Sequence, residues 1–524
     1  MKKYAYDLII ILIYFVGIIF IGIRASRQGS SLNEFVLGGR RMPWWAVLGS
    51  IIAAETSAAT FLGAPAEGYR TQNILYVQLT LGTILARILI AWLFIKPYYQ
   101  YNVYTVYEFL EIRFGKITRI MGSFIFLLTR ALASGVRIYI ASVILVVAWK
   151  FLTGFSPSFH QYVVAILIIT LATTVYTITG GIKAVIWTDL IQAVIMLGGG
   201  LVSLIAITFI IPGGWEGIKT GTNNFSQFKV FDTGINSDQD FTLSLLGIFQ
   251  QEYTIWAALF GATFLTLATH GTDQDMVQRM LTAPNYRRSR LSLILSGVAD
   301  IPIALTFVLI GIFLFAFFRV IPDQNLPNAP NEIFAYFIIN YMPKGIRGLI
   351  IAGVFASAMG SLSAALNALA TSAVKDFYIP YVKKSGPESH YVLVTRIFTS
   401  IFAFLLVLVA IVAAHQVLRN PEKTIIPMAL GVIGYTYGPL LGVFLLGMLT
   451  RTRGSNAGNI IAMSSGFITV LLLSGTANTI LSFWGLPLLS LPKIAFTWYI
   501  MFGSIVTFLI GILFRSKPKK REER

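Results

Sequence analysis

The chain has no cysteine. That excludes disulfides, thiolate zinc sites and cysteine nucleophiles, and it leaves the compartment open. Charge is scarce as well: Asp, Glu, Lys and Arg make up 12% of the 524 residues, against 56% hydrophobic residues. A soluble chain normally carries about 25% charged residues to cover its surface. The acidic sign is the scarcer, with 22 Asp and Glu against 40 Lys and Arg, for a formal charge of +18. Histidine is limited to His160, His270, His390 and His415, scattered over separate segments with no pair at ligand spacing. HExxH, GxSxG and Walker patterns are missing too, so no hydrolytic or nucleotide-cleaving centre is legible.

Long apolar runs take the place of charge. Thirteen segments have the length a helix needs to cross hydrocarbon: 6–23, 44–66, 74–95, 120–149, 161–179, 184–211, 244–270, 291–318, 346–373, 391–414, 425–449, 457–475 and 494–514. The first is too long for a signal peptide and has no small-residue cleavage site after it, so it reads as a retained helix. An odd number of spans puts the termini on opposite sides. Most Lys and Arg fall in one alternate set of loops, including Arg40, Arg41, Arg287, Arg288, Lys383 and Lys384, and in the tail 515–524. That side is expected to be cytoplasmic, with the N-terminus outside and the C-terminus inside. The basic tail reads as a topology signal that meets anionic lipid rather than nucleic acid. The loops near 212–243 and 319–345 are turn-rich surface segments, and no soluble domain is appended.

Charges inside a bilayer are expensive, and each marks a candidate functional position. Here they are Glu55, Arg87, Arg130, Arg137, Asp189, His270 and Asp300. The second span sets Glu55 among Ala53, Ala54, Thr56, Ser57, Ala58 and Thr60. Small and hydroxyl residues serve close helix packing; they also suit a locally unwound helix whose freed carbonyls hold a cation. The carboxylate favours the second reading, because packing alone needs no charge. In the ninth span Ser357, Gly360, Ser361 and Ser363 fit a packing seam or an oxygen-ligand surface for a hard cation equally well. Arg130 and Arg137, seven apart, share one helix face. They either pair internally with Glu55, Asp189 or Asp300, or leave Arg137 to clamp a substrate carboxylate. His270 is a proton site or a hydrogen-bonded interface residue.

Five strings in order, FVLGGRRMPWW (35–45), ATFLGAPAEGY (59–69), GGIKAVIWTDLIQ (180–192), GTDQDMVQR (271–279) and GIRGLIIAGVFASAMGSLSAALNALATSAVKDFY (345–378), resemble the sodium/solute symporter family. That family includes sodium-coupled sugar, proline, pantothenate, multivitamin and sialic acid carriers. The resemblance runs over roughly 6–450. It implies an all-α polytopic membrane protein with a LeuT-like 5+5 inverted repeat and about 13 transmembrane helices. The single transporter domain would comprise a leading helix at 6–23, a first repeat over 44–211 and a second over 244–449. Two further helices would follow over 457–514, with the tail 515–524 cytoplasmic. The first helix of each repeat is expected to break, near Ala53–Thr60 and near Thr263–Gly271.

By the same resemblance one sodium ion would lie between the first and eighth core helices. Ala53, Thr56 and Ser357 would supply backbone oxygens and Ser361 a hydroxyl. The family usually has another hydroxyl residue where this chain has Gly360, which removes a side-chain ligand and opens the site to weaker sodium binding or a different ion. Asp189, with Ser363, matches a second ion or coupling site of some members. Ala364 replaces a serine there, so one sodium is expected. Glu55 falls where proline carriers bear an acidic residue, and Ser57, Thr60, Arg137, Thr266 and Tyr435 are candidates for the substrate cavity. The expected activity is sodium-coupled import of a small organic solute, an organic anion if Arg137 meets it, by alternating access. The rivals are a proton-coupled carrier using Glu55, Asp189 or His270, and a non-transporting sensor or channel on the same scaffold; an enzyme is not expected. The partners would be the substrate and the lipid bilayer, with no nucleic acid and no obligate protein partner. The expected location is the plasma membrane of a bacterium, its inner membrane.

Overall fold

A computed structural model describes residues 5–25, 31–153, 158–235, 241–419, 425–489 and 492–515. The tail beyond Arg515 lies outside the described residues. Among these residues the fold is helical throughout, with a single isolated bridge between Arg453 and Arg515. In hydrocarbon every backbone polar group must be satisfied within its own segment, and apolar runs of this length meet that demand as helices.

In chain order the principal helices are α1 (Ala5–Ala25), α2 (Trp44–Glu55), α3 (Ala58–Thr71), α4 (Leu79–Leu93), α5 (Val106–Arg113), α6 (Lys116–Thr153) and α7 (Phe159–Ile210). After these come α8 (Thr263–Gly271), α9 (Gln274–Met280), α10 (Tyr286–Val320), α11 (Pro330–Asn340) and α12 (Ile346–Ser372). The last are α13 (Glu388–Arg419), α14 (Ile425–Leu449), α15 (Asn456–Leu473) and α16 (Tyr499–Gly511). Helical stretches lie in each expected segment, with 161–179 and 184–211 joined in one bent helix and 244–270 interrupted after Gln250. Among the described residues eight helical segments are long and apolar enough to cross a membrane, nine if the bent pair α2–α3 is one span.

Two interruptions shape the molecule. The helix begun at Trp44 stops at Glu55, and the chain resumes after Thr56 and Ser57 in a new direction, 58° away. Side-chain hydroxyls of Ser and Thr compete for backbone partners, which makes such a pair a natural stop. Helix α7, 52 residues long, changes course at Gly181, where φ is 55° and ψ −151°. Only glycine reaches that backbone region cheaply, and a Cβ there would overlap the Phe35 carbonyl.

The expected second break is displaced. Residues Thr263–Gly271 form continuous helix, preceded by a π-helical stretch Ala257–Ala262, and the interruption falls at Thr272–Asp273. The reason is local: the Asp273 carboxylate caps α9 by accepting the Asp275 N–H at 2.8 Å.

Helix α12 is the centre of the bundle, with 94% of its most apolar window buried. Its run of Ala, Gly and Ser lets α7 and α2 approach closely, as bilayer helix packing requires. The leading helix is tied to it at one end. Asp7, buried, accepts the N–H groups of Gly345 (2.8 Å) and Gly348 (3.0 Å) and pairs with Arg347 at 2.6 Å. A carboxylate at a helix N-terminus meets both free N–H groups and the positive end of the dipole.

Candidate functional site

The α2–α3 break faces the small-residue surface of α12. The Ser57 N–H donates to the Glu55 carbonyl (3.0 Å), two residues back, rather than to Ala53 four residues back. The Ala53 carbonyl thereby loses its helical donor. The Ser357 hydroxyl crosses to donate to the Thr56 carbonyl at 2.8 Å, and Ser361, one turn on, is buried with its hydroxyl on the Ala358 carbonyl at 3.0 Å. A Cβ built on Gly360 would sit 3.4 Å from the Ala53 carbonyl oxygen. Ala53, Thr56, Ser357, Gly360 and Ser361 thus converge on one seam, rich in oxygen and free of net charge, which suits a hard monovalent cation.

Beside the break lies a charge cluster. The Arg87 guanidinium, fully buried on α4, pairs with both oxygens of Glu55, reaches Asp300 of α10 at 2.8 Å, and donates to the Ser296 hydroxyl at 3.1 Å. Asp300 also accepts from Thr83 at 3.3 Å. His270 on α8 brings its Nε2 to 3.6 Å from Glu55, and its Nδ1 lies 2.9 Å from the Thr269 hydroxyl. Thr266, one turn before His270, shares that face of α8. Glu55 therefore has an internal cation, although its side chain is still 23% exposed and open to a further partner.

On the other side of α2 a second network runs through the core. Asp189 on α7 accepts the Ser50 hydroxyl at 2.7 Å and the Arg279 guanidinium at 3.0 Å, and Ser363 donates to it at 3.3 Å. Arg279 also pairs with Asp275, and Asp275 with Arg130. Arg130 reaches Asp273 at 3.1 Å, where the Tyr437 hydroxyl donates at 2.7 Å. Such buried charges persist only when compensated, and here each carboxylate meets a guanidinium.

Of the two arginines on α6, Arg130 is thus an internal partner, bound to Asp273 and Asp275 rather than to Glu55, Asp189 or Asp300. Arg137 is different: half-buried, it has no ion-pair or hydrogen-bond partner among the described residues, and its electrostatic neighbours are Arg130, Tyr437 and Asp273.

Ser57 is buried at the break and Thr60 half-buried on the first turn of α3, so both stay close to Glu55. Tyr435 does not join them. Its ring stacks on Tyr499 of α16 and its hydroxyl bonds to Thr476, which places it against the C-terminal helices. Two residues of helix amount to a rotation of about 200°, and it is Tyr437 that faces the core. Sequence alone does not mark Tyr437, the pairing role of Arg279, or Gln192. Arg279 and Gln192 lie inside the strings quoted above, whereas Tyr437 had no signal beyond its two-residue offset.

A helical bundle with a broken helix beside buried charge networks at its centre is the setting the family comparison then identifies as a secondary transporter. The chain belongs to the sodium:solute symporter family, which matches residues 35–466. It is 28% identical over 477 residues to the sodium/sialic acid symporter NanT of Aliivibrio fischeri, covering 90% of this chain and 88% of that one. It is 30% identical over 457 residues to the sodium/sialic acid symporter SiaT of Proteus mirabilis, covering 85% and 84%. The sodium-coupled monocarboxylate transporter 2 of Bos taurus is 28% identical over 540 residues, covering 94% and 82%. Among solved structures, a substrate-bound, outward-open Na+-coupled sialic acid symporter superposes with a TM-score of 0.79 at 25% identity, covering 97% of each chain. The chain shares that fold and is a multi-pass membrane protein, with at least eight helical segments long and apolar enough to cross a membrane among the described residues.

Proposed function

We propose that this protein imports a small organic anion together with one sodium ion by alternating access. The observation that carries the reading is the α2–α3 break: the Ala53 carbonyl has lost its helical donor and faces Gly360, while the Ser357 hydroxyl crosses the seam to the Thr56 carbonyl. Thirteen spans, with the N-terminus outside, would form a leading helix (6–23), repeats over 44–211 and 244–449, and two closing helices. Sodium bound at the seam ties α2 to α12 and favours the state that accepts substrate. Linkage requires substrate and ion each to raise the other's affinity by the same factor. Each elementary charge carried inward across 100 mV gains about 2.3 kcal/mol, which drives uptake.

The anion assignment rests on Arg137. A half-buried guanidinium without an internal partner suits a carboxylate, which its planar fork can grip with two hydrogen bonds. Relatives named for sialic acid and for monocarboxylates carry substrates of that chemistry. Glu55, Ser57, Thr60 and Thr266 are the proposed neighbours of the substrate. Asp189, already paired with Arg279, is proposed as a coupling element rather than a second sodium ligand, consistent with one ion. A second reading, proton coupling, draws on His270, whose buried Nε2 lies 3.6 Å from Glu55 and has no hydrogen-bond partner among the described residues. Proteoliposomes separate the two: uptake of a panel of carboxylates driven by an inward sodium gradient supports sodium symport. Uptake driven by a pH gradient with no sodium requirement would replace it with proton coupling.

A further inference from the structure

The mouth between α4 and α10 gathers positive charge with no carboxylate to match it among the described residues. Lys96 follows α4, and Arg287, Arg288 and Arg290 open α10. Between Glu67 and Glu108 the sequence has no Asp or Glu. Between Asp275 and Asp323 it has only Asp300, which Arg87 holds inside the bundle. None of the four cations forms an ion pair among the described residues. Lys96, Arg287 and Arg288 are exposed, and the electrostatic neighbours of the Tyr286 phenol are Arg287, Lys96 and Arg290, all positive.

Arg290 is fixed in place. Its Nε donates to the Ala91 carbonyl in the last turn of α4, and its guanidinium carbon lies 4.6 Å from the centre of the Trp92 ring and 4.9 Å from that of Tyr286. The two rings hold the planar group by cation–π attraction. Its terminal nitrogens have no hydrogen-bond partner among the described residues. A guanidinium held in one plane suits a phosphate, which it binds with paired hydrogen bonds. Beside the cations the surface turns apolar. Leu81, Leu85, Ile88 and Trp92 are exposed on one face of α4 at helical spacing, and Leu291, Val298 and Ile301 are exposed on α10. The two helices are in contact, since a Cβ on Gly297 would lie 3.5 Å from the Ile84 Cα. Trp92, 67% exposed, ends the α4 stripe, as tryptophans of membrane helices do at headgroup level.

We propose that this mouth binds an anionic phospholipid, its headgroup phosphate held by Arg290, Arg287 and Lys96 and its acyl chains lying along the exposed stripes of α4 and α10. Basic clusters at the ends of membrane helices attract anionic headgroups. The continuity of charge with apolar surface favours a lipid over a free phosphate, which would need no such stripe. The site lies on the outer surface of the bundle and does not depend on the sodium reading.

The test melts the purified full-length protein in maltoside micelles titrated with dioleoylphosphatidylglycerol, with dioleoylphosphatidylcholine or with inorganic phosphate, at constant ionic strength. The wild type should show a saturable rise in melting temperature with phosphatidylglycerol, a smaller one with phosphatidylcholine and none with phosphate. Arg287→Gln with Arg290→Gln should raise the half-maximal phosphatidylglycerol concentration about 10- to 30-fold, the effect of losing two charged contacts at a membrane surface. Its melting point in phosphatidylcholine should stay near that of the wild type. Arg290 also serves the Ala91 carbonyl, so Lys96→Gln with Arg287→Gln, both exposed, supplies a pair that spares that bond and should shift the titration the same way. Lys383→Gln with Lys384→Gln removes as much charge from another loop and should leave the response unchanged. Equal responses to the two lipids overturn the inference, and so do two site pairs that both titrate like the wild type. A rise produced by inorganic phosphate alone replaces the lipid with a free anion. A response lost equally in the Lys383 and Lys384 pair reduces it to general surface charge.

Discussion

Replacing Arg87 with leucine should destabilise the protein more than removing all three charges of its cluster together. Arg87 is fully buried and compensates Glu55 and Asp300, whose side chains are 23% and 15% exposed. Taking one partner from a buried pair leaves an uncompensated charge and costs about 3–5 kcal/mol. Two carboxylates left facing one another argue for the upper end, and their partial exposure to water moderates it. The Ser296 hydroxyl loses its arginine partner as well, though it keeps its bond to the Leu293 carbonyl. The triple variant Arg87→Leu, Glu55→Gln, Asp300→Asn removes all three charges and should regain most of the loss, because neutral replacement of a buried ion set is often tolerated. Melting of detergent-solubilised protein, followed by the monodisperse fraction on size exclusion, ranks the three forms. A single variant as stable as the wild type, or a triple variant no better than the single, would refute the assignment of Arg87 as the neutralising cation of this cluster.

Other consequences follow from the same contacts. Arg137→Gln should weaken stabilisation by a carboxylate substrate about 10- to 100-fold, the effect of losing a charged hydrogen-bonding group, while the sodium response persists; a substrate-titrated melt reads this. Tyr437→Phe removes one of the two donors to the Asp273 Oδ2, which keeps Arg130, and should cost about 1.5–3 kcal/mol as a lost hydrogen bond to a charged group, whereas Tyr435→Phe, on the opposite helix face, should cost less in the same melt. In the loop after α10, hydrogen bonds from the Tyr336 and Tyr341 hydroxyls and the Asn325 N–H hold the Asp323 carboxyl below its ordinary range. A depressed carboxyl stabilises the fold above its unfolded value near about 4 and loses that contribution as pH falls further. Melting points should therefore drop below about pH 4, and Asp323→Asn should flatten that limb; an unchanged acid limb would rule the contact out as a source of stability.

The sequence showed where the chain would break before it showed what the break would touch. Thr56 and Ser57 after an apolar run, with Glu55 at mid-membrane, marked the first interruption because packing needs no carboxylate there. The second interruption was misplaced by a few residues. Gly271 and His270 drew attention, while the stop comes from Asp273 capping the next helix, a signal visible in Asp273 followed by a polar helical turn. Tyr437 is not marked in the sequence because both faces of a membrane helix are apolar, so periodicity cannot tell that its hydroxyl, rather than that of Tyr435, points inward. The partners of Arg130 could not be read at all. Asp273 and Asp275 lie more than 140 positions along the chain, and only the fold brings them to Arg130.

Whether a sodium ion sits at the seam between α2 and α12 is tested most directly by melting the purified protein in sodium, potassium and choline chloride at equal ionic strength, beside Ser361→Ala. The account predicts a rise in melting temperature specific to sodium, by the mass action of a ligand that binds only the folded state, and its loss in Ser361→Ala. Equal melting temperatures in the three salts, or a sodium rise that survives Ser361→Ala intact, would contradict it.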